Sequence, residues 1–174
     1  MRPSRLFAGI VAAQILFLAG WAASHEWTLR TGPTVLLETE PVDPRDILRG
    51  DYVILAYPIQ RVPLDRFTPT LTAPPDPGTR IYVELRQEGD VHRLARASLA
   101  PLSPEPGNLV IRGRAAARWQ TVGSKLVWVD YGIERFFVPE GKGNPRGKIL
   151  AKVTVGRDGQ PYLKGLLVDG RPYP

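Results

Sequence analysis

Apolar and polar positions follow three regimes along this chain. Leu6 to Ser24 is an uncharged apolar run of nineteen residues, interrupted only by Gln14 and Ser24. As a helix, that length just spans the hydrocarbon core of a bilayer. From Thr34 onward the period becomes two, the spacing of strands that bury one face. Thr34 to Glu40 is rich in β-branched and apolar residues, and Thr79 to Glu88 sets Ile81, Val83 and Leu85 on one face against Tyr82, Glu84 and Arg86 on the other. Glu88-Gly89-Asp90 turns that strand back into Val91 to Leu99 as a hairpin. Leu109 to Arg118 opposes Leu109, Ile111, Gly113, Ala115 and Ala117 to Arg112, Arg114 and Arg118. Lys125 to Tyr131 and Ile133 to Pro139 are short strands with Gly132 as a bend between them, and Ile149 to Gly156 returns through Arg157-Asp158-Gly159 into Gln160 to Val168. The third regime is Pro58 to Gly78, whose six prolines exclude a regular helix or a central strand. A loop of that length either contacts a partner or straps a sheet edge. Short, evenly spaced strands without an amphipathic helix predict an all-β fold, a small antiparallel sandwich or partly open barrel, tethered by one N-terminal transmembrane helix.

Charge at the ends of the apolar run gives it a direction. Arg2, Arg5 and the amino terminus precede it, whereas beyond it Glu26 offsets Arg30, so the positive-inside rule places the N-terminus in the cytoplasm and the rest outside. Trp21 and Trp27 bracket the far end as an interfacial aromatic belt does. A cleaved signal peptide is the rival, since Gly20-Trp21-Ala22 and Ala22-Ala23-Ser24 offer small residues at the spacing a signal peptidase uses. The expected organisation is an anchor over 1–24 that meets lipid through 6–24, a polar spacer over 25–33 ending in a Gly32-Pro33 break, and an extracytoplasmic β domain over 34–174, periplasmic or on the outer surface.

Composition narrows the chemistry. The formal charge is +6, and without Arg2 and Arg5 the count is 21 basic against 17 acidic side chains, a mild excess that reads as a mixed, solvated surface. Nucleic acid is disfavoured as a partner by compartment. The absence of cysteine excludes disulfides, thiol catalysis and zinc–thiolate sites. His25 and His92, the only histidines, lie far apart in sequence, so neither a metal site nor a histidine triad is expected, and no cofactor is implied.

Residues 43 to 57 concentrate polar side chains with turn chemistry. Asp43 has the form of a helix N-cap, with Pro44 at N1, Asp46 at N3 of a capping box, and Gly50 where a single turn needs a residue tolerant of positive φ. A strand follows, on which Val53, Leu55 and Tyr57 share one face and Tyr52, Ile54 and Ala56 the other. Asp43, Arg45, Asp46, Arg49 and Asp51 crowd opposite charges into nine positions. Turn-shaping is the first explanation for them, and a functional site is the second.

The run Gly50-Asp51-Tyr52-x-x-Leu55-x-Tyr57 resembles the signature of the GDYXXLXY family of bacterial membrane-anchored proteins. Val42 to Asp46, Tyr131 to Gly141 and Lys164 to Gly170 look like further blocks of that family in the expected order. The resemblance implies a cell-envelope protein of unassigned biochemical role, often encoded beside a multi-pass membrane protein, which suggests such a protein as partner. Tyr131, Glu134 and Arg135 join the signature residues as candidate interaction positions.

Enzymatic alternatives are thinner. Pro44, Leu48, Gly50, Asp51 and Val53 can be laid on a segment of the signal-peptidase-type serine–lysine proteases, but Thr39 to Asp43 hold no serine where the nucleophile belongs. None of Ser98, Ser103 and Ser124 lies in a nucleophile elbow. The remaining alternative is an envelope hydrolase using the acidic and arginine cluster at 43 to 51 with Glu134 or Glu140. Aromatics at 119, 128, 131, 136 and 137 are either a ligand platform or core. The leading expectation is a membrane-tethered β module that binds an envelope partner.

Overall fold

A computed structural model of the chain describes residues 3–40, 52–117, 124–138 and 147–173. The first element is α1 (Pro3–Thr31), long and apolar enough over Leu6–Thr31 to cross a membrane, with its apolar side chains exposed along its length. It continues through the segment expected to be a spacer. Glu26 pairs with Arg30 one turn on at 2.6 Å, and the hydroxyls of Ser24, Thr28 and Thr31 bond back to carbonyls of the preceding turn, so polar composition did not break the helix. The break comes at Gly32-Pro33, where Gly32 N–H still donates to Thr28 O at 2.9 Å and Pro33 cannot continue the ladder.

Eleven strands follow among the described residues: β1 (Thr34–Glu38), β2 (Tyr52–Ile54), β3 (Arg61–Pro63), β4 (Arg80–Glu88), β5 (Val91–Ser98), β6 (Leu109–Ala115), β7 (Leu126–Asp130), β8 (Arg135–Phe137), β9 (Ile149–Val155), β10 (Pro161–Val168) and β11 (Arg171–Tyr173). They form a four-stranded sheet in the order β1-β9-β10-β11, a five-stranded sheet in the order β3-β7-β6-β4-β5, and the β2–β8 ribbon, with every strand pair antiparallel. The sheets curl into a nearly closed barrel. Arg93 on β5 reaches Glu38 on β1 at 3.0 Å, the bridge Glu40–Ala56 ties the end of β1 to the ribbon, and Arg112 N–H on β6 donates to Gly159 O in the β9–β10 turn at 2.8 Å.

The alternating faces meet inside. Val35 and Leu37, Ile81, Val83 and Leu85, Ile111, Val127 and Val129, Ala151 and Val153, and Leu166 make one continuous core. Gly113 belongs to it for want of space: a Cβ there would lie 2.4 Å from Val129 Cγ1 and 2.8 Å from Asp130 O. The proline-rich interval is partly structured, contrary to the expectation of a plain loop. Two 3-10 turns, Pro58–Gln60 and Leu64–Arg66, flank β3, which pairs with β7 at the sheet edge and buries Val62, while Phe67 bridges to Ala97.

Glu84 keeps the expected outward face of β4 but not the exposure that usually goes with it. It does point away from the core, yet it is fully buried, because the segment after β5 folds over it. Arg96 Nε donates to Oε2 at 2.5 Å, while Oε1 accepts from Asn108 Nδ2 and Glu105 N–H, both at 2.8 Å. Burial alone would raise its pKa, but Asn108, the Glu105 N–H and Arg96 together outweigh it and hold the carboxyl below its ordinary 4.5.

The unfolded chain therefore binds this proton at higher pH than the folded one, so the stability Glu84 contributes is complete above its unfolded pKa and drains away as pH falls through the folded value. Glu84→Gln is expected to lower the melting temperature of the full chain at neutral pH and to flatten its decline below about pH 4.5, as followed by circular dichroism in detergent. An acid limb as steep as wild type would assign that proton to another group. Separately, Gly113→Ala should cost at least about 2 kcal/mol, because the backbone carbonyl facing it cannot rotate away.

Candidate functional site

The signature segment and the block beginning at Tyr131 fold onto each other, and the contact between them is reciprocal. Tyr57 Oη donates to Ile133 O at 2.8 Å, and Tyr131 Oη donates to Ile59 O at 2.7 Å. Each tyrosine thus closes on a carbonyl two residues beyond the other. Both rings are buried, and burial, followed by the charge of Glu134, pushes both phenols well above the ordinary tyrosine pKa. They act as neutral hydrogen-bond donors across the physiological range.

Glu134 organises the backbone around them. Its Oε1 accepts from Tyr131 N–H at 2.6 Å and its Oε2 from Gly132 N–H at 2.8 Å, closing a turn in which Gly132 takes φ +82°. Glycine suits that position because a side chain would be strained there. Gln60 lies 3.4 Å from the same Oε1 and uses its own Oε1 to accept from Tyr57 N–H at 2.9 Å, which caps the 3-10 turn. Leu55 N–H donates to Glu134 O at 2.8 Å, and the Leu55 side chain is buried. Among the described signature positions, then, Leu55 and Tyr57 shape the fold. Both carboxylate oxygens of Glu134 are spent on backbone N–H groups, which leaves it a poor general base for a bound substrate.

The ribbon has a second face. In its register Val53 pairs with Phe136, and these turn inward against the core, where Phe136 meets Tyr173 edge-on at 6.1 Å between ring centres. Ile54 pairs with Arg135, and Phe137 pairs with position 52. Cross-strand partners share a face, so Ile54, Arg135 and Phe137 lie outward, with Ile54 49% and Phe137 75% exposed. The aromatics considered as a platform are therefore divided: Tyr131 is core, Phe136 is half-buried, Trp128 lies under the Arg61 guanidinium at 5.9 Å, and Phe137 faces solvent.

Asp43, Arg45, Asp46, Arg49, Gly50 and Asp51, with the helical turn expected there, lie outside the described residues, as do Arg118, Trp119 and Glu140. Tyr52 is described by its backbone pairing alone. Among the described residues no group of three or more histidine or acidic side chains has the geometry to hold a metal ion. The one feature that periodicity pointed to incompletely is basic. Arg112 and Arg114 were legible on one face of β6, but Arg80, directly opposite Arg114 on β4, joins them in a cleft of about 460 Å³ bordered by Asp130 and Gln160.

Residues 14–166 match the family model described as GDYXXLXY protein, which covers most of the chain. No curated protein and no solved structure matches it.

If the tyrosine pair locks the fold, Tyr57→Phe and Tyr131→Phe should each destabilise the full chain by about 1–3 kcal/mol, the cost of leaving a buried carbonyl unpaired. Because the two rings close on neighbouring segments, the double variant should lose less than the sum of the singles. Glu134→Gln should cost a similar amount, since its amide N–H₂ would face a backbone donor. Urea titration in detergent reads all four variants, and wild-type stability in Glu134→Gln would free that carboxylate for another role.

Proposed function

The chain belongs to the GDYXXLXY protein family, and from its geometry we propose that it is a single-pass, membrane-tethered β module whose signature ribbon docks a multi-pass membrane protein in the cell envelope. The observation that carries this reading is the division of labour within the ribbon. Its inner face is fixed by the tyrosine pair and the core, while Ile54 on β2 and Phe137 on β8 stand out on the other face, with Arg135 directly opposite Ile54 and two residues before Phe137. Rigid presentation of exposed apolar side chains is what a docking surface requires, since little conformational entropy is lost on binding. An aromatic and an arginine are also the residue types that concentrate binding energy at interfaces.

The tether limits which partners the ribbon can reach. α1 runs for 29 residues, about 43 Å at helical rise, so it crosses a hydrocarbon core of about 30 Å and still extends into the headgroup region. From Thr34 to the Glu40–Ala56 bridge the chain advances about 20 Å as strand, which places the ribbon within reach of the extramembrane loops of a neighbouring membrane protein. The arginines before the apolar run favour a cytoplasmic N-terminus and an extracytoplasmic domain over 34–174. The hydrolase alternative loses support at Glu134, the member of its carboxylate set among the described residues, because both its oxygens are occupied.

A reporter fused after Pro174 is expected to behave as extracytoplasmic, and the mature protein to retain its first residues; N-terminal sequencing that begins near Ala23 or Ser24 would turn the anchor into a cleaved leader. For the docking face, the double variant Ile54→Ser, Phe137→Ser should keep its melting temperature within a few degrees of wild type, as surface substitutions usually do. Its cross-linking to a membrane-embedded partner in intact cells should fall about tenfold, corresponding to the loss of one anchor residue. Undiminished cross-linking would move the interface elsewhere.

A further inference from the structure

We propose that the arginine cleft on the outer face of β4 and β6 binds the phosphodiester headgroups of anionic phospholipids, seating the β domain on the bilayer that holds α1. The inference rests on α1 as a membrane span and adds a second, lipid-specific contact.

Position is the first argument. The end of α1 is pressed against β9: a Cβ on Gly32 would lie 2.7 Å from Thr154 Cγ2 and 2.8 Å from Val155 O, and Val155 N–H donates to Pro33 O at 2.9 Å. On β10 a bulge at Lys164 interrupts the register with β9, and the freed side chain reaches back to Leu29 O at 2.9 Å, a cation on the C-terminal end of the helix dipole. Tyr162 on the same strand meets His25 edge-on at 4.9 Å. Gln160, which lines the cleft, sits in the β9–β10 turn just before that strand and accepts from Gly156 N–H at 2.8 Å, one residue past Val155. The cleft therefore opens beside the point where the chain leaves the helix, at the level of the headgroups that surround Trp21 and Trp27.

Charge is the second. Arg80 and Arg114 are direct cross-strand partners on one face, an arrangement that repels unless an anion lies between or beside them. Asp130, opposite Arg114 on β7, supplies one such charge. Arg112 is already held, by Asp158 Oδ2 at 2.8 Å and Gln160 Oε1 at 3.2 Å. Among the described residues Arg114 donates to Gly78 O alone, at 3.3 Å, and Arg80 has no hydrogen-bond or ion-pair partner. Three guanidiniums facing two carboxylates leave one positive charge unanswered. That surplus matches a singly charged oxyanion, and the guanidinium fork fits the paired oxygens of a phosphodiester. The cleft volume, about 460 Å³, is large enough for a glycerophosphodiester headgroup. Arg157, exposed in the adjoining turn, adds attraction toward an anionic surface.

The test uses the full chain in nanodiscs of zwitterionic lipid, with and without phosphatidylglycerol carrying a photoreactive headgroup, and maps labelled peptides by mass spectrometry. Label is expected in the segments containing Arg80 and Arg112 to Arg114. It should fall by about fivefold or more in Arg80→Gln, Arg114→Gln, fall less in Arg80→Lys, Arg114→Lys, which keeps the charge but loses the fork, and weaken as salt is raised in the wild-type chain, which needs no variant to fold. Label confined to residues 21–31 would overturn the headgroup site while leaving the span intact. Failure of the chain to enter nanodiscs would remove the span itself, and the inference with it. Loss of cleft label on adding about 10 mM inorganic phosphate, at matched ionic strength, would make this a site for free phosphate and overturn the lipid assignment.

Discussion

Two buried phenol hydroxyls hold the two halves of this domain together. Tyr57 and Tyr131 are separated by the whole five-stranded sheet in sequence, yet each donates to a carbonyl beside the other, so neither segment can shift without stranding a buried acceptor. The constraint propagates outward. Leu55 N–H is bound to Glu134 O, the β2–β8 register starts one residue further on, and the choice of which residues face solvent on that ribbon follows from it. A slip of one position would turn Val53 and Phe136 outward and carry Ile54 and Phe137 into the core. Leu55 and Tyr57, the signature side chains among the described residues, thus fix register, and the outer face of the ribbon inherits its rigidity from the inner one.

Glu84 shows the same economy in a polar setting. A carboxylate with no exposed surface is costly, and it is kept only because every oxygen lone pair of consequence has a donor from a different part of the chain: Arg96 on β5, Asn108 before β6 and the backbone of Glu105. The Glu105 and Asn108 donors, with Arg96 also holding Ser103 O at 3.2 Å, are what pins the β5–β6 connection across the sheet. With that connection held down, β6 enters beside β4 in the register that sets Arg80 opposite Arg114.

The strands with strict alternation were legible because a single buried face imposes it, and β4, β6 and β9 emerge where the hydrophobic period placed them, while the helix begins as expected and runs seven residues past the apolar run. What escaped was of two kinds. β3 and β11 were missed because each contains a proline, Pro63 and Pro172, and both lie at sheet edges where a missing N–H faces no neighbour. The Asp169-Gly170 turn before β11, with both residues at positive φ, was the available signal. The burial of Glu84 escaped because periodicity reports which face of a strand looks at the core, and says nothing about a loop that later covers the opposite face. At the candidate site, Tyr57, Tyr131 and Glu134 were legible as members of the motif blocks, but their hydrogen bonds depend on a pairing of distant segments that no local pattern encodes.

That dependence also explains why the helix does not end where its polar residues begin. His25 to Thr31 carries enough polar side chains to suggest a spacer, and a flexible spacer would let the domain swing freely above a membrane. The chain instead keeps helical hydrogen bonds up to Gly32 and then removes a side chain where the end of the helix meets β9. Lys164 bonding to Leu29 O and Tyr162 packing on His25 add contacts from β10. A helix end held from two neighbouring strands transmits its tilt to the barrel, so the orientation of the ribbon and of the arginine cleft relative to the helix axis becomes a property of the fold rather than of a linker.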